Sequence, residues 1–127
     1  MKINHIAMYV NNLERTRNFY EKYFNATSNE KYHNKKTDLE TYFLTFDDNS
    51  RLEIMTRPEI VESKKFMCSS GYSHIAISVG SKEKVDTLTA QLKEDGFRVI
   101  SMPRVTGDGY YESIVLDYEN NQIEIVE

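Results

Sequence analysis

Two histidines and two glutamates recur at matched positions in this sequence. His5 opens the stretch His-Ile-Ala-Met-Tyr-Val, and His74, 69 residues later, opens the similar stretch His-Ile-Ala-Ile-Ser-Val. Glu53 and Glu124 lie 71 residues apart, each between two aliphatic residues. Imidazoles and carboxylates without a thiolate suit divalent iron, cobalt, nickel or zinc, and four protein ligands on an octahedral ion leave two positions for substrate. The four residues therefore predict a shared catalytic metal site, and the alternative is that each is a solvent-facing strand residue.

This chemistry requires strands that direct all four side chains to one side. Side chains alternate across a β-strand, so each of the four is predicted to point away from the aliphatic residues that flank it. The aliphatic side of each strand is expected to pack on helices. If the sheets also curve, the two imidazoles and two carboxylates converge on the opposite face.

The segments between each histidine and its glutamate predict the same elements in the same order. A helix is predicted over residues 13–24 after an Asn11 or Asn12 cap, and a second begins after Ser81 and ends at Gly96. Strands are predicted at residues 4–10, 26–32, 41–46, 51–55, 73–79, 97–101, 111–116 and 122–126. Each half therefore reads βαβββ.

The predicted fold class is α+β, with two tandem βαβββ modules that form curved mixed sheets and carry their helices on the outer face. We expect a single domain. Module 1 is predicted at about residues 1–56, a connection at about 57–72 and module 2 at about 73–127.

Composition narrows the class of protein. The 127 residues include 16 Lys and Arg against 20 Asp and Glu, and this net charge of -4 argues against a nucleic-acid partner. No apolar run approaches the ~20 residues that span a bilayer, and no signal-peptide pattern is present. The single cysteine, Cys68, is consistent with a reducing compartment. We expect a cytoplasmic protein with a small-molecule substrate and no membrane partner.

The repeated stretches resemble the vicinal oxygen chelate (VOC) superfamily, which includes glyoxalase I, bleomycin-resistance proteins, methylmalonyl-CoA epimerase, extradiol dioxygenases and fosfomycin-resistance proteins. The similarity is strongest at Gly-Tyr-Ser-His-Ile-Ala-Ile-Ser-Val and at the ending Leu-Asp-Tyr-Glu-Asn-Asn-Gln-Ile-Glu-Ile, and it extends over essentially the whole chain. Bacterial glyoxalase I (lactoylglutathione lyase) is the member that the sequence most resembles. Its metal ligands fall, in order, on His5, Glu53, His74 and Glu124.

This resemblance implies a metal-dependent lyase or isomerase that acts on the hemithioacetal of a 2-oxoaldehyde or on a similar substrate with adjacent oxygens. The cofactor would be a divalent ion of Ni, Co, Zn, Mn or Fe. Glu124 is expected to remove the carbon-bound proton, with Glu53 as ligand or assisting base and the metal stabilising the enediolate. A homodimer is implied, in which each site draws residues from two chains.

The sequence departs from glyoxalase I at two expected substrate-binding positions. Tyr9 and Arg57 stand where glutathione-dependent members have the Arg and Asn that hold the glutathione carboxylate, so another thiol or a thiol-free substrate is expected. Tyr111 is a third candidate for lining the pocket, against the alternative of ordinary packing. His33 has no counterpart in the second half and is expected to be solvated. A metal-dependent dioxygenase and a non-catalytic binding or resistance protein are the alternative functions.

Overall fold

The computed structural model describes residues 1–62, 65, 68 and 70–127. These residues form two helices and nine strands, and the chain divides into two compact units, Met1–Ser63 and Lys64–Glu127. The elements of the first unit are β1 Ile6–Tyr9, α1 Leu13–Phe24, β2 Thr27–Ser28, β3 Tyr32–Asn34, β4 Leu39–Thr45 and β5 Arg51–Thr56. Those of the second are β6 His74–Ser78, α2 Lys82–Glu94, β7 Val99–Val105, β8 Tyr111–Leu116 and β9 Gln122–Val126. Neither helix in the described part of the chain has the length and apolar character of a membrane span.

Helix α1 has the bounds that the sequence predicts. Asn12 is its cap, since the Asn12 side chain accepts a hydrogen bond from the Arg15 amide at 2.9 Å. The chain leaves the helix through Asn25, which has a left-handed φ of 53°. The predicted apolar face is buried, and it packs on β4 and β5.

Helix α2 is built by the same signals. Ser81 accepts a hydrogen bond from the Lys84 amide, and Gly96 has a φ of +89° just after the last turn, as predicted. Thr89 is buried in the middle of the helix, where its hydroxyl lies 2.6 Å from the Ser113 hydroxyl on β8. Helix α2 therefore packs on its sheet through a buried polar contact as well as through apolar side chains.

Both sheets follow one plan. In the first unit the strand order is β1-β5-β4-β2, with β3 also paired to β4, and in the second it is β6-β9-β8-β7. β1 runs parallel to β5 and β6 runs parallel to β9, while the remaining pairs are antiparallel. Each unit thus places its first strand beside its last, which brings residues about 50 positions apart into register.

The predicted strand at 26–32 is wrong in extent. The structure has two short strands there, because Asn29 interrupts the ladder and its side-chain oxygen accepts the Phe43 amide hydrogen bond at 2.7 Å. The strand predicted at 97–101 also differs, since β7 extends to Val105 and includes Pro103. Proline is tolerated because β7 is the last strand of its sheet in the described part of the chain, and its pairing with β8 is irregular between Ser101 and Arg104.

Candidate metal and substrate site

The parallel strand pair of each unit places a histidine beside a glutamate. In the first unit Glu53 on β5 is in register with Ala7 on β1, and His5 lies two residues before that alanine. In the second unit Glu124 is in register with Ala76, and His74 again lies two residues earlier. Residues two apart share a face of a strand, so each histidine and glutamate project to the same side.

The two pairs have closely similar geometry. His5 Nε2 lies 3.4 Å from Glu53 Oε2, and His74 Nε2 lies 3.1 Å from Glu124 Oε2. The side chains of the histidines are 36% and 37% exposed, and those of both glutamates are 17% exposed. Each unit therefore offers one nitrogen and one oxygen donor at a surface that a small molecule can reach.

Neighbouring groups fix the orientation of the first imidazole. His5 Nδ1 lies 2.8 Å from the Asn4 side-chain oxygen, and this contact holds the ring with Nε2 on the side of Glu53. The Phe43 ring packs edge-on against the imidazole, with centroids 5.2 Å apart. An imidazole held in this way is prepared to bind a cation through Nε2.

The donor separations fit a divalent ion. Nitrogen and oxygen donors that each lie about 2.1 Å from one ion, at angles between octahedral and tetrahedral, are about 3.0 to 3.4 Å apart. Both observed Nε2 to Oε2 distances fall in that interval. Among residues 1–62, 65, 68 and 70–127, no three His, Cys, Asp or Glu side chains of one chain come together as a metal-holding group. Each pair contributes two of the four ligands that the sequence predicts.

Tyr9 and Arg57, predicted to bind substrate, lie together in the first unit. Tyr9 is on the same face of β1 as His5, and its hydroxyl is hydrogen-bonded to the Arg57 side chain. Glu59 Oε2 accepts a second hydrogen bond from Arg57 Nε at 2.8 Å. Glu59 and, to a lesser degree, Tyr9 raise the pKa of the Arg57 guanidinium, which stays a cation. A phenol and a cation therefore lie beyond the His5 and Glu53 pair.

The structure does not bring Tyr111 to the His74 and Glu124 pair. Its side chain points to α2, where its hydroxyl donates to Asp86 Oδ1 at 2.7 Å and Lys82 Nζ lies 5.4 Å from the ring centroid. Ser113, two residues later, faces the same helix. Strand alternation thus places Tyr111 on the side of the sheet opposite to the pair.

The sequence interpretation missed Glu112. This residue is only 8% exposed, it lies on the same face of β8 as Ile114, and Ile114 is in register with Glu124. Burial and the nearby charge of Glu124 raise the pKa of the Glu112 carboxyl, while Arg104 and His74 oppose the shift. The available signal was alternation in Tyr-Glu-Ser-Ile-Val-Leu, which predicts Glu112, Ile114 and Leu116 on one face.

Two alanines leave space beside the glutamates. Ala7 and Ala76 are exposed, and each is in register with the glutamate of its own unit. The chain has only four alanines, and strands usually carry larger side chains at such positions. In both units a ligand can therefore approach the carboxylate over the alanine.

Comparison with known proteins agrees with this architecture. A family model described as the Glyoxalase/Bleomycin resistance protein/Dioxygenase superfamily matches residues 2–125. The uncharacterized protein YqjT of Bacillus subtilis is 24% identical over 131 residues, which cover 98% of this chain and 97% of that protein. A structure from Bacillus cereus, described as a possible glyoxalase, is 27% identical with a TM-score of 0.73 and covers 100% and 99% of the two chains.

Maize glyoxalase I (Zea mays) has the same fold, with a TM-score of 0.82 at 19% identity. The match covers 98% of this chain but 44% of the maize chain, so the protein spans less than half of that enzyme. With almost all of its residues matched by the family model, the chain belongs to the Glyoxalase/Bleomycin resistance protein/Dioxygenase superfamily.

Proposed function

We propose that the protein is a metal-dependent lyase or isomerase of the glyoxalase I type, acting on a 2-oxoaldehyde hemithioacetal or a similar substrate with adjacent oxygens. The observation that carries this proposal is the repeated histidine and glutamate pair, with Nε2 to Oε2 distances of 3.4 and 3.1 Å. The ligands would be His5, Glu53, His74 and Glu124. A divalent cation of Ni, Co, Zn, Mn or Fe bound there supplies Lewis-acid stabilisation of substrate oxygens that gain negative charge.

The remaining chemistry belongs to side chains of this protein. Glu124 takes the carbon-bound proton on a carboxylate oxygen and returns it to the neighbouring carbon, while Glu53 serves as ligand or assisting base. Tyr9 and Arg57 hold a polar or anionic end of the substrate. Ala7 and Ala76 leave open the approach to the two carboxylates.

Four ligands require the two pairs to meet, and we expect a homodimer to bring them together. In a two-fold dimer, His5 and Glu53 of one copy would face His74 and Glu124 of the other, giving two equivalent sites.

The first test is the metal content of protein purified without chelator, measured by elemental mass spectrometry. We expect about one ion per site, lost in a His5→Ala, Glu124→Ala double variant. His33→Ala is the matched control, because His33 also pairs with a carboxylate, Asp38, at 3.1 Å but lies apart from the proposed ligands in the sequence. A wild-type protein that takes up no metal on titration refutes the lyase and favours a binding protein.

The second test is turnover of methylglyoxal with several small thiols. Glu124→Gln should lower kcat by about a hundredfold or more, as expected for loss of a general base. Glu40→Gln, a half-buried carboxylate on β4, is the control and should change kcat little. Turnover that requires Fe(II) and O₂ would instead identify a dioxygenase.

Mixing complementary variants tests the dimer. A chain with His5→Ala and Glu53→Gln and a chain with His74→Ala and Glu124→Gln are each expected to be inactive. If sites form across a two-fold dimer, an equal mixture after subunit exchange should regain about a quarter of the wild-type activity. A dimer that exchanges subunits without regaining activity would show that each site is built within one chain.

A further inference from the structure

The face that carries each histidine and glutamate pair can be divided into three rows across the strands. The first row contains the histidine, and the second contains the alanine and the glutamate. The third row contains the residues two positions after the alanine and after the glutamate, together with the residue of the neighbouring antiparallel strand that is in register with them. In the first unit it consists of Tyr9, Met55 and Thr41, and in the second of Ser78, Val126 and Glu112.

On their first and last strands the two units agree at three places of the first two rows, and they differ at every place of the third row. Histidine, alanine and glutamate recur at equivalent places, whereas Thr41 in the first unit corresponds to Glu112 in the second. Both third-row residues are buried, at 3% and 8% exposure. Because Thr41 occupies this place in one sheet, the fold does not require a carboxylate in the other.

A carboxylate at this place is costly for the folded protein. Glu112 is removed from water near a second carboxylate, Glu124, and burial of a charge is unfavourable unless it is paired. Its ion-pair partner is Arg104, whose Nη2 lies 3.6 Å from Glu112 Oε1 and whose side chain is 45% exposed. Such a loose pair compensates only part of the cost. A buried charge with incomplete compensation beside a candidate site indicates a functional role.

We propose that Glu112 is a specificity-determining residue that selects a substrate carrying a positive charge or hydrogen-bond donor next to its metal-chelating oxygens. This inference rests on the proposed function, since it places the substrate over the His74 and Glu124 pair. Ser78, in the same row, is exposed and small, so it leaves room for such a group above Val126. A substrate with a carboxylate at this end is repelled by both Glu112 and Glu124.

Hydroxamates test the assignment because they chelate a metal through two adjacent oxygens and are not turned over. Glycine hydroxamate carries an ammonium group, acetohydroxamate is neutral, and the monohydroxamate of succinate carries a carboxylate. Calorimetric titration of the metal-loaded protein should show that the cationic probe binds about tenfold more tightly than the anionic one. Glu112→Gln, which keeps the shape, and Glu112→Thr, which introduces the residue of the first unit, should both remove most of this preference.

Glu83→Gln is the matched control, since Glu83 lies in the exposed first turn of α2 and its substitution removes the same charge elsewhere. It should retain the wild-type preference. The assignment is overturned if the wild type binds the two charged probes with equal affinity. It is also overturned if both Glu112 variants keep the wild-type preference for the cationic probe. A preference lost equally in the Glu83 variant points to net charge and also overturns it.

Failure of the proposed function is separately visible as a protein that takes up no metal. In that case the metal-free protein is titrated with glycine hydroxamate and followed by NMR. The assignment is supported if the amide chemical shifts of residues 78 and 112 change on titration of the wild type and do not change in Glu112→Gln. A spectrum unchanged at these residues refutes it.

Discussion

The space over Ala76 gives a prediction that separates substrate binding from metal binding. Replacing Ala76 with valine adds two methyl groups to an exposed strand position in register with Glu124. The neighbours on the same strand face, His74 and Ser78, lie about 6.6 Å away along the chain, and the next strand lies about 4.8 Å away. The added methyl groups therefore occupy the volume directly beside the Glu124 carboxylate.

The expected loss of kcat/KM follows from the steric cost of placing a substrate against the methyl groups that valine adds. Overpacking by one or two methyl groups typically costs about 1 to 3 kcal/mol. If the substrate lies over Ala76, this cost corresponds to a decrease in kcat/KM of roughly 5- to 150-fold. Neither His74 nor Glu124 changes, so metal content should stay at the wild-type value. The strand itself should not weaken, because valine favours strands more than alanine does.

The assay combines kcat/KM for methylglyoxal with the preferred thiol, metal content and Tm on the same samples. Ala76→Ser is the matched control, since serine adds one atom and should lower kcat/KM much less than valine. Suppose that the Ala76→Val protein keeps its metal and its Tm and turns over substrate as fast as the wild type. This result would show that the substrate does not lie over residue 76. Loss of metal from this variant would refute the assumption that valine leaves the pair unchanged.

Three further predictions concern stability. Thr89→Val removes a hydrogen-bond partner from the buried Ser113 hydroxyl and should lower the free energy of unfolding, measured by urea titration, by about 1 to 3 kcal/mol. Adding Ser113→Ala should recover most of this loss. If the losses of the two single variants simply add in the double variant, the two hydroxyls are not directly coupled. Asn12→Ala should cost about 1 kcal/mol through loss of the α1 cap, whereas no change would show that the cap contributes nothing. Because the pKa of Glu112 is raised in the folded state, its ionisation destabilises the fold as pH rises above the ordinary carboxyl range. Glu112→Gln should therefore raise Tm at pH 7, with the gain disappearing near pH 4; a gain equal at both pH values would exclude ionisation as its cause.

The regular elements were largely predictable from the sequence because their signals are local. Asn12 and Ser81 mark the helix starts and Gly96 marks a helix end, and all three act as predicted. The strands at 111–116 and 122–126 have the predicted bounds. The break at Asn29 was not predictable, because it depends on a side-chain hydrogen bond to Phe43, a residue 14 positions away.

The candidate site was only partly predictable. Repetition and alternation were enough to select His5, Glu53, His74 and Glu124, and the parallel strand pairing then placed each histidine within 3.4 Å of its glutamate. Alternation alone gave Tyr111 no preferred face, because it does not say which side of β8 meets a helix. Contact with Asp86 on α2 decided that question.

The sequence by itself determined which residue types recur, how far apart they lie and which of them share a strand face, since these properties depend only on the order of residues and the period of a strand. Tertiary structure alone decided that β1 lies beside β5 and β6 beside β9, because strand pairing joins residues distant in the chain. That pairing sets the histidine beside its glutamate and places an alanine in register with the carboxylate. The antiparallel pairing of β8 with β9 brings Glu112 near Glu124. Its burial is shown by no local pattern, because burial depends on what the rest of the chain packs around a residue.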